Sequence, residues 1–301
     1  MKNKTFLPWI ILFLVALGSI PIILHYKGFT SAKIVGIIVV ISVISALWFW
    51  RINTRKKASR KARILLSVND KHWMNKYISF YQRLSKQDKV IFEDRVGIFL
   101  ANVQITQIGK EKPEKETCIY VASSAVIAYW GLPYYNYGNL REVLVYPSNF
   151  DMDNSLNKRG IVNGKVHHGG LMNNTMILSL PALIKGFQID NDKKNVGIHE
   201  FSHLLDKADG IIDGIPEYMG EEDKKIWIQL MKEGMENIRA SNSTIPAYGG
   251  TSEAEFFAVV TTYYKECPSL LKIKNRPLFE FIDGYFNQEK FKEEGDNYER
   301  L

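Results

Sequence analysis

The stretch GIHEFSHLLDKADGIIDG, Gly197 to Gly214, decides how this chain is read. It holds two of the six histidines, His199 and His203, four residues apart, with Glu200 beside the first. On an α-helix, residues i and i+4 share a face about 5–6 Å apart, so both imidazoles can aim a nitrogen at one point. A zinc ion accepts such nitrogens at about 2.0–2.1 Å, and a catalytic site uses three protein ligands and keeps one position open. Glu200, one step round the helix, would then stand beside the ion as a proton acceptor rather than on it as a ligand.

The competing reading is a surface helix with incidental histidines, since H-E-x-x-H arises by chance in roughly one chain in 150 at ordinary residue frequencies. The neighbours oppose it. Val196, Ile198, Phe201, Leu204 and Leu205 make the segment largely apolar and so enclose the imidazoles, and enclosed imidazoles need partners. Asp206 fits two roles equally, an acceptor that orients a ligand ring or a plain polar residue.

A third ligand is needed. Asp209 has Asp206 where the extended motif would need a glycine to turn the chain back, and with Gly210 next it marks a helix end. His167 and His168 fall in a polar loop and read as solvated. In AYGGTSEAEFFAVVTTYY, Ala247 to Tyr264, Glu255 opens an apolar helix. Ser252 and Glu255 also have the S-x-x-E spacing of a capping box, which would occupy the carboxylate with backbone. Spacing alone leaves both roles of Glu255 open. Glu253, about 200° round the helix, reads as solvated.

Two charge-free apolar runs, Phe6 to Leu24 and Ile34 to Trp50, precede all of this. Each approaches the roughly 20 residues that cross a bilayer as a helix, and Trp9, Tyr26, Trp48 and Trp50 stand where interfacial aromatics belong. They read as a transmembrane hairpin, with a cleaved signal peptide as the rival for the first run. Residues 51–63, RINTRKKASRKAR, hold seven lysines and arginines, whereas His25 to Lys33 holds Lys27 and Lys33 only. Cationic loops stay cytoplasmic. The expected location is therefore a bacterial inner membrane, with residues 64–301 facing the cytoplasm and a lipid bilayer as one partner.

That count also bears on nucleic acid. Eleven of the 39 lysines and arginines lie in residues 1–63, which contain no acid, so the remaining 28 face all 32 acids. The basicity belongs to the membrane-proximal segment, and no nucleic-acid footprint is expected on the folded part. Cys118 and Cys267 form no C-x-x-C pair and read as free thiols of a reducing compartment.

Asn69 to Ile108 reads as mostly helical, with Ser85 and Asp88 marking one helix start. Cys118 to Trp130 reads as a tightly packed helix because Ala122, Ser123, Ser124 and Ala125 are poor strand formers. REVLVYP, Arg141 to Pro147, and NTMILSL, Asn174 to Leu180, read as strands, with residues 148–173 an exposed loop between them.

Together HEFSHLLDKADG, AYGGTSEAEFFAVVTTYY and EVLVYPSNF resemble the Mlc titration factor A family of bacterial zinc peptidases, whose metalloprotease domain is similar to the catalytic domain of anthrax lethal factor. The resemblance covers roughly Trp73 to Leu271. It implies an α+β zincin-like domain with an N-terminal helical layer, and one zinc ion held by His199, His203 and Glu255. It implies Glu200 as general base and Tyr248, seven residues before the third ligand, as an assisting phenol. The chain departs from the family in its membrane hairpin and in Gly249–Glu253, which replaces an alanine-rich Asp-Pro turn beside Tyr248.

The expected activity is hydrolysis of a peptide or protein substrate held as an added strand on a sheet edge, with NTMILSL as the candidate edge. The alternative is a membrane-tethered regulatory module that binds a protein partner around a non-catalytic zinc. A closed structural site would need four protein ligands, and the chain offers three. A transporter is excluded because neither apolar run carries an ionisable residue.

Overall fold

The chain divides into Met1–Ala62 and a compact unit, Arg63–Leu301. The computed structural model describes residues 63–132, 137, 139–148, 174–206, 213–216 and 219–287, and the backbone of 150–151, 161–162 and 164–167. Both apolar runs, most of the basic segment, His168 and Asp209 lie outside the described residues. Among the described residues no helix is long and apolar enough to cross a membrane.

The described unit is α+β. Helices α1 (Val68–Tyr77), α2 (Ser79–Arg83) and α3 (Lys86–Asn102) lead into strand β1 (Gln104–Gln107) and helix α4 (Lys115–Ala128). Strands β2 (Glu142–Tyr146), β3 (Phe150–Asp151), β4 (Ile161–Val162), β5 (Gly164–His167) and β6 (Thr175–Ser179) follow. Then come α5 (Leu180–Gln188), α6 (Val196–Asp206), α7 (Glu221–Arg239), a 3₁₀ turn at Ala247–Gly250, α8 (Glu253–Glu266), α9 (Pro268–Lys274) and α10 (Arg276–Phe286). Ser85 caps α3 as expected, its hydroxyl accepting from Asp88 N at 3.1 Å.

The main sheet runs β1-β2-β6-β5, with β1, β2 and β6 parallel and β5 antiparallel. Register places Ile105, Val143 and Met176 in one row and Gln107, Val145 and Leu178 in the next, all buried. Period-2 alternation thus turns one face of the sheet towards the helices. The buried Gln107 takes a polar role, its Oε1 accepting the Glu114 N–H at 2.8 Å, just ahead of α4.

Three sequence expectations change here. The helical reading of Asn69–Ile108 fails at Val103, which ends α3. The four residues after it form β1, stabilised by pairing with a strand almost forty residues away. Residues 148–173 are not all loop, since β3, β4 and β5 fall within them. NTMILSL is no edge: β6 is bonded to β2 on one side and β5 on the other, so its backbone groups are spent inside the sheet.

Helix α4 confirms its small-residue reading, with every residue from Ile119 to Ala128 buried. It packs on α6, as does α8, and α6 lies against β5 and β6. This holds the histidine helix between the sheet and α8, which is buried at every residue from Phe256 to Glu266.

Candidate metal centre

Helix α6 begins at a residue the sequence reading passed over. Asn195 Oδ1 accepts the Ile198 N–H at 3.1 Å, and Asn195 Nδ2 donates to Gly186 O at 3.0 Å, tying the helix start to α5. The signal was present as an asparagine directly ahead of the apolar run. Ile198, Phe201, Leu204 and Leu205 of α6 are buried as expected and Val196 partly so, and they enclose the imidazoles, leaving the His199 and His203 side chains 15% and 14% exposed.

The two roles open to Glu255 resolve in a way spacing does not reveal. Ser252 Oγ does accept the Glu255 N–H at 3.3 Å, so serine caps α8. The Glu255 carboxylate turns to α6 instead. Its Oε2 lies 3.0 Å from His199 Nε2 and 3.4 Å from His203 Nε2, and the two nitrogens lie 3.2 Å apart. Glu253 is exposed, as expected.

These distances are a test of whether an ion fits. Two ligand atoms about 2.05 Å from one ion at the tetrahedral angle stand about 3.3 Å apart. The three observed separations bracket that value. Glu255 Oε2 is moreover buried without a hydrogen-bond partner among the described residues, although two ring nitrogens are within reach. A buried carboxylate oxygen left so is costly, and a cation at the shared point removes the cost. Among the described residues, this is the group of histidine, cysteine and carboxylate atoms that can hold a metal.

Charge follows from the same packing. Burial alone would raise the Glu255 carboxyl, but the two imidazoles hold it far below the usual range. Burial would lower His203, yet Glu255, Glu200 and Asp206 together raise it. Glu200, 6% exposed on the same helix, is raised by burial, against the pull of both imidazoles.

Tyr248 sits in the 3₁₀ turn with its ring centroid 5.8 Å from that of His199, tilted by 42°. Burial of its hydroxyl end and the carboxylates of Glu255 and Glu200 push the phenol well up, so it remains a donor. Tyr248 as a whole is nevertheless 43% exposed, which leaves it open to an incoming molecule. The glycine-rich replacement around it is firmly tied: Thr251 Oγ1 donates to Tyr248 O at 2.7 Å and Gly249 N to Pro246 O at 3.0 Å. Asp206 takes neither role expected of it. It is fully buried, and its Oδ2 accepts the Gly214 N–H at 3.1 Å.

An H-E-x-x-H helix facing a glutamate from a second helix, under a small mixed sheet, defines the fold and site of a metallopeptidase-like protein. The model of the glucose-regulated metallo-peptidase M90 family matches residues 50–287, and the chain belongs to that family. An uncharacterized protein of Synechocystis sp. is 25% identical over 228 residues, 71% of this chain and 83% of that protein. Mlc titration factor A of Yersinia enterocolitica is 26% identical over 161 residues, 49% of this chain and 59% of its own length. The Yersinia pestis protein of the same name is 26% identical over 165 residues, 49% and 58%. The chain therefore spans about three-fifths of the Mlc titration factors it matches.

Proposed function

We propose that the protein is a membrane-anchored zinc peptidase in which His199, His203 and Glu255 hold the ion. The convergence of two Nε2 atoms and Oε2 at the edge lengths of a tetrahedron carries this reading. A zinc ion held there supplies Lewis acidity to a water molecule and to a peptide carbonyl.

The chain's own residues supply the rest. Burial makes the Glu200 carboxylate a stronger base than an exposed glutamate. It takes a proton from water as the water oxygen attacks the carbonyl carbon, and returns it to the amide nitrogen as the C–N bond breaks. Tyr248 donates its hydroxyl hydrogen to the oxyanion of that attack. An extended peptide pairs along β5, which ends the sheet beside α6. The apolar runs at 6–24 and 34–50 anchor the enzyme, and the basic segment keeps its catalytic unit cytoplasmic.

The test is metal content and peptide turnover in Glu200→Gln and His203→Ala. Glu200→Gln should keep stoichiometric zinc and lose about 10²–10⁴-fold in turnover, whereas His203→Ala should lose the zinc. Unchanged turnover in Glu200→Gln would remove that residue from the chemistry. A second reading, a tethered regulatory module that binds a protein partner, draws on the name of the Yersinia relatives. It requires Glu200→Gln to retain partner binding and regulation in full.

A further inference from the structure

We propose that Asp206 is a positioning residue for the metal centre: through Gly214 it sets the spacing between the helix that carries His199 and His203 and the helix that carries Glu255. The inference rests on the reading of those three residues as metal ligands.

The three ligands come from two helices with no covalent link shorter than the 51 residues between His203 and Glu255. A tetrahedral centre tolerates errors of only tenths of an ångström in that spacing. Something must therefore brace the end of α6 against the start of α8. Asp206 is the last residue of α6, three beyond His203, and is fully buried. Its Oδ2 accepts the Gly214 N–H at 3.1 Å.

Gly214 in turn presses on α8. A Cβ built on it would lie 2.4 Å from Glu253 O, 2.5 Å from Glu253 C and 3.0 Å from Ala254 N. The glycine thus rests against the peptide bond that ends one residue ahead of Glu255. Its φ of +78° is a second reason for glycine here, because side chains strain that conformation. Its carbonyl is held from the far side by Trp227 Nε1 at 2.7 Å, and Trp227 is fully buried against Phe256 and Phe257 of α8.

Asp206, Gly214 and the Glu253–Ala254 peptide form a strut between the two ligand helices. A buried carboxylate is a costly way to accept backbone hydrogen bonds, here from Gly214 and Asp213. Its position explains the expense: α6 and α8 already pack side by side, and this strut fixes the end of the one against the first turn of the other. Supporting groups one layer out from a metal typically contribute 10–100-fold to its affinity.

The experiment measures zinc affinity of the full chain by chelator competition, with the visible spectrum of the cobalt-substituted protein as a second readout. Asp206→Ala should weaken zinc 10–100-fold and change the cobalt bands, with the far-UV spectrum retained. Asp206→Asn keeps an oxygen that can accept from Gly214 and should restore affinity to within about threefold of wild type. Gly214→Ala should weaken zinc in the same direction, and adding it to Asp206→Ala should cost little more. Wild-type affinity in Asp206→Ala overturns the proposal. So does an Asn variant as weak as Ala, which would make the carboxylate's charge the relevant property. If wild type itself binds no zinc, or His203→Ala binds it equally well, the metal reading fails and not the strut alone.

Discussion

Replacing Gly197 with alanine should destabilise this protein although the residue lies inside a helix. Helix propensity alone favours alanine by about 1 kcal/mol. Packing opposes it. Gly197 is buried where α6 crosses α4, and a Cβ there would lie 2.1 Å from Ser124 Oγ, 2.6 Å from Ser124 Cβ and 3.0 Å from Leu183 Cδ1. Ordinary contact begins at 3.4 Å, so the helices would have to separate by roughly 1 Å. Ser124 cannot yield: it is fully buried, its hydroxyl donates to Tyr120 O at 2.9 Å, and its Cβ is fixed to the backbone. Overpacking of this kind costs about 1–3 kcal/mol, and a clash against an immobile Cβ belongs at the upper end. Net of propensity, the loss is about 2 kcal/mol, or roughly 4–8 °C in melting temperature for a unit of this size.

The assay is a double-mutant cycle by thermal and chemical denaturation. Ser124→Gly removes both offending atoms, so the pair Gly197→Ala and Ser124→Gly should show a favourable coupling of about 3 kcal/mol, the clash without the propensity gain. Ser124→Ala, which leaves the 2.6 Å contact, should recover little. Because His199 follows two residues later, Gly197→Ala should also weaken metal binding. A Gly197→Ala protein as stable as wild type, or a coupling within about 0.5 kcal/mol of zero, would refute the packing account.

Three further outcomes are expected. Tyr248→Phe should keep its metal and lose about 10²–10³-fold in kcat with KM little changed, as for other oxyanion donors; an equal loss in metal content would make the phenol structural. Ser252→Ala removes the cap of α8 and should cost about 1 kcal/mol; thermal melts that show no loss would mean that the hydrogen bond is not formed. Glu266, buried beside the backbone of Lys193 and Lys194, is pushed up to about 8 by burial and by Asp192, against the pull of those two N–H groups. A folded-state value above the ordinary 4.5 means that the fold keeps a proton which the unfolded chain releases. Stability therefore falls as pH rises between those values, by on the order of a few kcal/mol. Glu266→Gln should raise the melting temperature more at pH 8 than at pH 5, and equal gains at both would refute the assignment.

Local pattern exposed much of the site. His199 and His203 share a face because four residues make about one helical turn, and the apolar residues around them foretold a buried helix. Strands β2 and β6 were legible as β-branched and apolar runs between turn residues. Strand β1, Gln-Ile-Thr-Gln, was not, because two glutamines carry no strand signal and its alternation is produced by pairing with β2. Strand β5 was hidden by the polar, glycine-bearing composition of its surroundings and exists through pairing with β6.

By itself, then, the order of residues determined what short-range geometry can determine: which helix bears the imidazoles, where caps and turns fall, and which segments are apolar enough to be buried. Only the tertiary structure decided between the two uses of Glu255, sending its carboxylate to the histidines while Ser252 alone capped the helix. It likewise gave Asp206 its bond to Gly214 and set β6 inside the sheet. These outcomes depend on distances between elements tens of residues apart. Such distances follow from how whole faces pack, which no local spacing encodes.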